Sequence, residues 1–172
     1  ASLLQAKGDL DGAEPLCRRA LAIKEAVHGP THADTGMSVN NLGRLLQAKG
    51  DLDGAEPLFR RALAIFEAGH GPSHADTGTS VSNLASLLQA KGDLDGAEPL
   101  CRRALAIREA ALGLDHTDTG QSVNNLAVLL QDKGDLDGAE PLCRRALEIR
   151  EAALGPDHPD TGTSVNNLAG LL

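Results

Sequence analysis

The nonapeptide GDLDGAEPL occurs four times unchanged, at Gly8–Leu16, Gly50–Leu58, Gly92–Leu100 and Gly134–Leu142, with successive copies 42 residues apart. No insertion or deletion disturbs that register. A fixed period of this length means that one supersecondary unit is copied along the chain, and that no copy buries its apolar face alone. The unit Thr77–Asp118 divides into two amphipathic stretches. Helix A is predicted over Thr77–Lys91, with Val81, Leu84, Ala85, Leu87 and Leu88 on its inner side. Helix B is predicted over Gly96–Leu112, with Ala97, Leu100, Cys101, Ala104, Leu105 and Ala111 inward. The nonapeptide then becomes the corner between them. Lys91-Gly92 reads as a helix C-terminus, with glycine in the left-handed position. Asp95 reads as the N-cap of helix B and Glu98 as its capping-box partner, which puts Gly96 at the first helical position and Pro99 at the fourth. In the second connection, GPSHAD or GLDHTD, Asp and Ser are expected to supply caps and the recurring His to brace the loop.

Composition points the same way. Only Phe59 and Phe66 are aromatic, so burial rests on Leu, Ala, Val and Ile, and no alternating β-branched run suggests a strand. The chain is read as all-α, a single solenoid domain over residues 1–172. The net charge of −8 argues against a nucleic-acid partner. The Arg-Arg pairs (Arg18/Arg19, Arg60/Arg61, Arg102/Arg103, Arg144/Arg145) are read as a solvated face balanced by nearby carboxylates. No apolar run approaches the roughly 20 residues that span a bilayer, so no membrane partner is expected.

Candidate chemistry is sparse. Cys17, Cys101 and Cys143 share one repeat position with Phe59, the behaviour of an apolar core site. Three thiols without a disulfide framework favour a reducing compartment, and a cytoplasmic location is expected. Asp9-Leu-Asp11-Gly12 and its copies lack the later oxygen ligands of a calcium loop. His28/His32 and His70/His74 have a zinc-like spacing, but they straddle a glycine loop with no third ligand apparent, so no metal or cofactor is expected. Every polar candidate for catalysis recurs with the period, which marks architecture, and no enzyme is expected.

The segments NNLA (Asn124–Ala127), LLQAKGD (Leu87–Asp93), AEPLCRRAL (Ala97–Leu105) and IREAALGPDHPDT (Ile149–Thr161) resemble the tetratricopeptide repeat, in the 42-residue form of kinesin light chains. The family's small-residue positions match Gly43, Ala85, Ala127 and Ala169 on helix A, and Ala55 and Ala62 on helix B. Leu10, Leu52, Leu94 and Leu136 stand where the family usually has a corner aromatic, a departure that bears on packing and superhelix pitch. The resemblance implies a right-handed α-solenoid of four repeats, with A helices lining a concave groove that takes a peptide or a partner's segment. Carried over by motif position, the groove residues are an Asn column (Asn41, Asn83, Asn125, Asn167) and a second column (Asn40, Ser82, Asn124, Asn166). One turn on come Arg44, Ser86 and Val128, then Gln47, Gln89 and Gln131. A side-chain amide offers two donors and two acceptor sites, which suits an unpaired peptide backbone, and equally suits bonding between adjacent A helices. The acidic-peptide preference of kinesin light chains does not carry over, because Arg44 is the single groove cation and Asp132 opposes it. The chain begins (ASLL) and ends (AGLL) at one repeat position inside helix A, so head-to-tail self-association is a further expectation. The alternative to ligand binding is a structural spacer in a larger array.

Overall fold

The structure is a computed structural model that describes residues 9–171. Among these residues it is entirely helical. The helices are α1 (Leu10–His28), α2 (Ala33–Ala48), α3 (Leu52–His70), α4 (Ala75–Ala90), α5 (Leu94–Leu112), α6 (Thr117–Asp132), α7 (Leu136–Leu154) and α8 (Pro159–Ala169). The even-numbered helices are A helices and the odd-numbered ones B helices. Each packs on its neighbours in sequence, while α2 also touches α4 and α4 touches α6, so the A helices share a face. The expected opening half of helix A, residues 1–4, lies outside the described residues.

The corner forms by a mechanism only partly foreseen. Gly92 takes φ +81°, its N–H bonds to the carbonyl of Gln89 and the Asp93 N–H bonds to Leu88, which closes a Schellman motif. The cap of helix B, however, is Asp93 rather than Asp95, and equivalently Asp9, Asp51 and Asp135. Asp93 Oδ1 accepts the Gly96 N–H at 2.9 Å. A Cβ on Gly96 would press on that carboxylate, so any larger residue there would have to shift the capping side chain. Pro99 therefore sits at the sixth helical position, not the fourth, and lies inside the helix. Its missing N–H leaves the Asp95 carbonyl without an intrahelical donor. Both residues are exposed, so water can serve that carbonyl and the helix continues to Leu112.

Asp95 and Glu98, freed from capping, reach the next unit. Lys133 Nζ lies 2.7 Å from Asp95 Oδ1 and from Glu98 Oε2. Lys91 repeats this with Asp53 and Glu56, and Lys49 with Asp11 and Glu14. The nonapeptide thus turns its own chain and docks the lysine that ends the following helix A. The Lys hydrogen bonds, and after them those of Arg18, Arg60 and Arg102, hold Glu14, Glu56 and Glu98 below the usual carboxylate value of 4.5. A depressed carboxylate stabilises the fold fully above that value, and the contribution is lost as pH falls through the lower, folded-state value. The urea midpoint is therefore expected to drop as the solution is acidified below 4.5, and Glu56→Gln with Glu98→Gln is expected to flatten that dependence. An unchanged slope in the double variant would refute the assignment.

At the second connection His74 Nδ1 accepts the Asp76 N–H at 3.2 Å, and His32, His116 and His158 do the same. Histidine, not Asp or Ser, is the side-chain cap of helix A. Thr77 Oγ1 donates to the Gly71 carbonyl at 2.8 Å, as Thr35, Thr119 and Thr161 do at their glycines, which ties the loop to the helix that follows. The predicted inner faces are buried, except that Leu100 is half-buried against the core and Ala111 is exposed, while Ile107 and Arg108 turn inward instead. Leu10, Leu52 and Leu94 pack against the core from the corners. Cys17, Cys101, Cys143 and Phe59 all lie in it. Burial pushes the Cys101 thiol up to about 11, which makes it inert as a nucleophile.

Candidate functional site

The predicted columns come together on the face shared by α2, α4, α6 and α8, and they bond to one another. Asn83 Nδ2 donates to Asn40 Oδ1 at 2.9 Å, and Asn167 Nδ2 donates to Asn124 Oδ1 at 2.9 Å. Between them Asn125 Nδ2 meets Ser82 Oγ at 3.4 Å. The next row is linked as well. Gln89 Nε2 donates to Asp132 Oδ2 at 2.5 Å, and Gln131 Nε2 to the Asn167 carbonyl at 3.3 Å. These contacts set the spacing of successive A helices, and each spends one amide hydrogen of the two available. Asn41, Arg44, Ser86 and Asn166 are exposed, whereas Gln47, Gln89, Val128 and Gln131 are half-buried. Asn124 is buried. Asn41 and Arg44 border a cavity of about 220 Å³ with Leu10 and Ala48. A larger opening of about 640 Å³ lies away from these columns, between the end of α5 and α7. On its rim Arg145 Nη1 already pairs with Glu109 Oε1 at 2.7 Å.

Among the described residues the arginine pairs form no free basic stripe. Arg18, Arg60, Arg102 and Arg144 bind the glutamate one turn back, and Arg61, Arg103 and Arg145 bind Glu25, Glu67 and Glu109 of the preceding repeat. Such exposed pairs contribute mainly to register and little to stability.

The histidine pairs do have a third partner, contrary to the sequence reading. His28, His32 and Asp34, and likewise His70, His74 and Asp76, bring three ligand atoms within 4.8 Å of one another. The signal was present as His-x-Asp, two residues beyond each second histidine. Capping already uses the Nδ1 lone pairs of His32 and His74, and Lys24 Nζ lies 2.8 Å from Asp34 Oδ2. A metal ion would have to displace those interactions, and capping accounts for both clusters, joined in the first by the Lys24–Asp34 ion pair.

Sequence reasoning missed a recurring buried basic residue. Arg108 Nη1 donates to Ser122 Oγ at 2.9 Å and to the Asp118 carbonyl at 3.0 Å. Arg150 repeats this with Ser164 and Asp160, and also reaches Gln121 Oε1 at 2.7 Å. Burial shifts both guanidinium groups toward their neutral forms, so these hydrogen bonds carry the compensation. The constant step of 14 residues from Arg to Ser was the available sequence signal.

With this geometry in place, the comparisons are informative. Family models described as Tetratricopeptide repeat match residues 1–68 and 38–88, and again 77–118 and 119–160, the last two in the same frame as the 42-residue unit. A kinesin-light-chain-type protein of Podosopora anserina with nearly identical TPR-like repeats superposes with TM-score 0.83 at 26% identity, over 99% of this chain and 81% of that one. BtubC (BKLC) from P. vanneervenii superposes with TM-score 0.87 at 26% identity, over 99% of this chain and 68% of that one. A comparison with curated proteins finds no match. Repeats of this kind mediate protein–protein interaction and scaffolding, and proteins built from them are typically non-enzymatic. The period, the Gly corner, the stacked A helices and these matches agree: the chain belongs to the tetratricopeptide repeat family, in its kinesin-light-chain-like form.

Proposed function

We propose that the protein is an interaction module that takes an extended peptide or a partner's segment along the face formed by α2, α4, α6 and α8, in a reducing compartment such as the cytoplasm. The observation that carries this reading is the ladder of amides at one level on successive A helices, joined to each other through a single hydrogen apiece. The remaining amide hydrogen and oxygen lone pairs suit a peptide backbone. The test is a random-peptide selection on the whole chain, repeated with Asn83→Ala and Asn125→Ala. Selected peptides should lose at least about tenfold in affinity on the double variant, roughly 1.4 kcal/mol. Absence of any selected peptide, or binding indifferent to both changes, would reject the reading. The same inter-helix hydrogen bonds favour a second reading, in which the ladder only fixes the stacking of a spacer that associates head to tail. There the double variant would lower the unfolding midpoint and leave all binding intact, and sedimentation would show concentration-dependent oligomers.

A further inference from the structure

One repeat lacks the basic residue that the others carry at the end of helix B. Lys24, Arg108 and Arg150 occupy the same place near the end of helix B, and the remaining copy holds Phe66. At the other three, the basic side chain reaches the first turn of the following helix A. Lys24 meets the Asp34 carboxylate; Arg108 and Arg150 meet a backbone carbonyl and a serine hydroxyl. Phe66 supplies no donor. Its serine, Ser80, is 1 % exposed, and Ser80 Oγ is the buried side-chain polar atom left without a hydrogen-bond partner among the described residues. The structure also opens a cavity of about 220 Å³ there, bordered by Met37, Asn40, Phe66, Asp76 and Ser80. By the 42-residue register Met37 corresponds to Gln121, Asp76 to Asp160 and Ser80 to Ser164. Those three counterparts are the groups that hold the guanidinium of Arg150. The cavity is the room that a guanidinium fills two repeats later.

We propose that this cavity is a binding subsite for an arginine side chain of a partner segment, which supplies from outside the donor that Phe66 withholds. The guanidinium takes the position of Arg150, donating to Ser80 Oγ and to the Asp76 backbone carbonyl. Phe66, 4 % exposed, and Met37 provide apolar walls against which a planar, weakly hydrated cation stacks. At about 30 Å³ per liquid water, the space accommodates a group of several heavy atoms. Charge agrees with this occupant. Asp76 lacks the lysine that pairs with Asp34, having only His70 and His74 beside it, and the chain as a whole carries −8. This inference rests on the interaction reading above and names one side chain of its ligand.

The test uses Met37, the single methionine of the chain, whose methyl resonance reports on the cavity wall. Capped arginine (N-acetyl, N-methylamide) is titrated into the full chain, alongside the citrulline counterpart, which has nearly the same shape without the charge. Arginine should shift the Met37 methyl saturably and citrulline should not. Phe66→Arg fills the site from within and should abolish the response. Ser80→Ala should raise the unfolding midpoint, by removing an orphaned hydroxyl, yet weaken the arginine response several-fold. Should Phe66→Arg fail to fold, Ser80→Ala and the citrulline comparison still decide. No saturable shift, an equal response to citrulline, or a response indifferent to Ser80→Ala would each overturn the proposal. Peptide binding lost on the Asn83/Asn125 variant without any arginine response would sink the subsite alone. An arginine response in a chain that selects no peptide would sink the groove reading alone.

Discussion

Phe59→Cys is expected to lower the unfolding free energy by about 3 kcal/mol, although cysteine is the residue at this position in every other repeat. The reason lies across the helix pair. Phe59 is fully buried against Gly43, and a Cβ on Gly43 would sit 3.0 Å from Phe59 Cε1 and 3.1 Å from Cδ1. In the other copies the facing residues are Ala85 with Cys101 and Ala127 with Cys143. Small-with-large and medium-with-medium are two solutions to one packing problem. Cysteine opposite Gly43 leaves a cavity, and Gly43→Ala alone overpacks the ring at about 1–3 kcal/mol. The double variant recreates the arrangement of the neighbouring repeats and gains about 1 kcal/mol of helix propensity from Gly to Ala. A urea-unfolding double-mutant cycle should therefore show favourable coupling above about 1 kcal/mol. Simple additivity would refute the pairing.

The second large effect is expected at Arg108. It is 9 % exposed, and its guanidinium donates to Ser122 Oγ and to the Asp118 carbonyl. Arg108→Ala removes buried methylene groups and takes the donor from the buried Ser122 hydroxyl, for a loss of about 2–4 kcal/mol. Adding Ser122→Ala removes that hydroxyl and should return about 1 kcal/mol. If Arg108→Ala costs no more than an exposed substitution, within about 0.5 kcal/mol, the guanidinium is not holding the unit junction.

Both predictions show where the sequence was legible and where it was not. The helix pair, the corner and the left-handed Gly92 follow from local chemistry and a visible period, and all appear as expected. The choice of cap does not. Asp93 and Asp95 are equally good capping residues by type, and the structure uses Asp93, whose carboxylate accepts the Gly96 N–H. That choice moved Pro99 into the helix and released Glu98 for Lys133. The Asn columns were placed on one face correctly, yet their mutual bonding depends on the offset of adjacent A helices, which periodicity does not report. Arg108 and Arg150 look like surface residues because a charged residue ordinarily is one. Their burial follows from how helix B meets the next helix A, a tertiary fact.

The Gly43–Phe59 contact has a consequence for how the chain recognises itself. Four identical corners carry no address: any helix A could turn into any helix B with the same caps and the same lysine dock. A slip by one repeat would press Phe59 against Ala85, which has the Cβ that Gly43 lacks, and would set Gly43 opposite Cys17 across a void. Both errors cost energy, and neither is present in register. One ring and one missing methyl group thus act as a key that tells an otherwise uniform ladder which rung is which, during folding and when two copies meet.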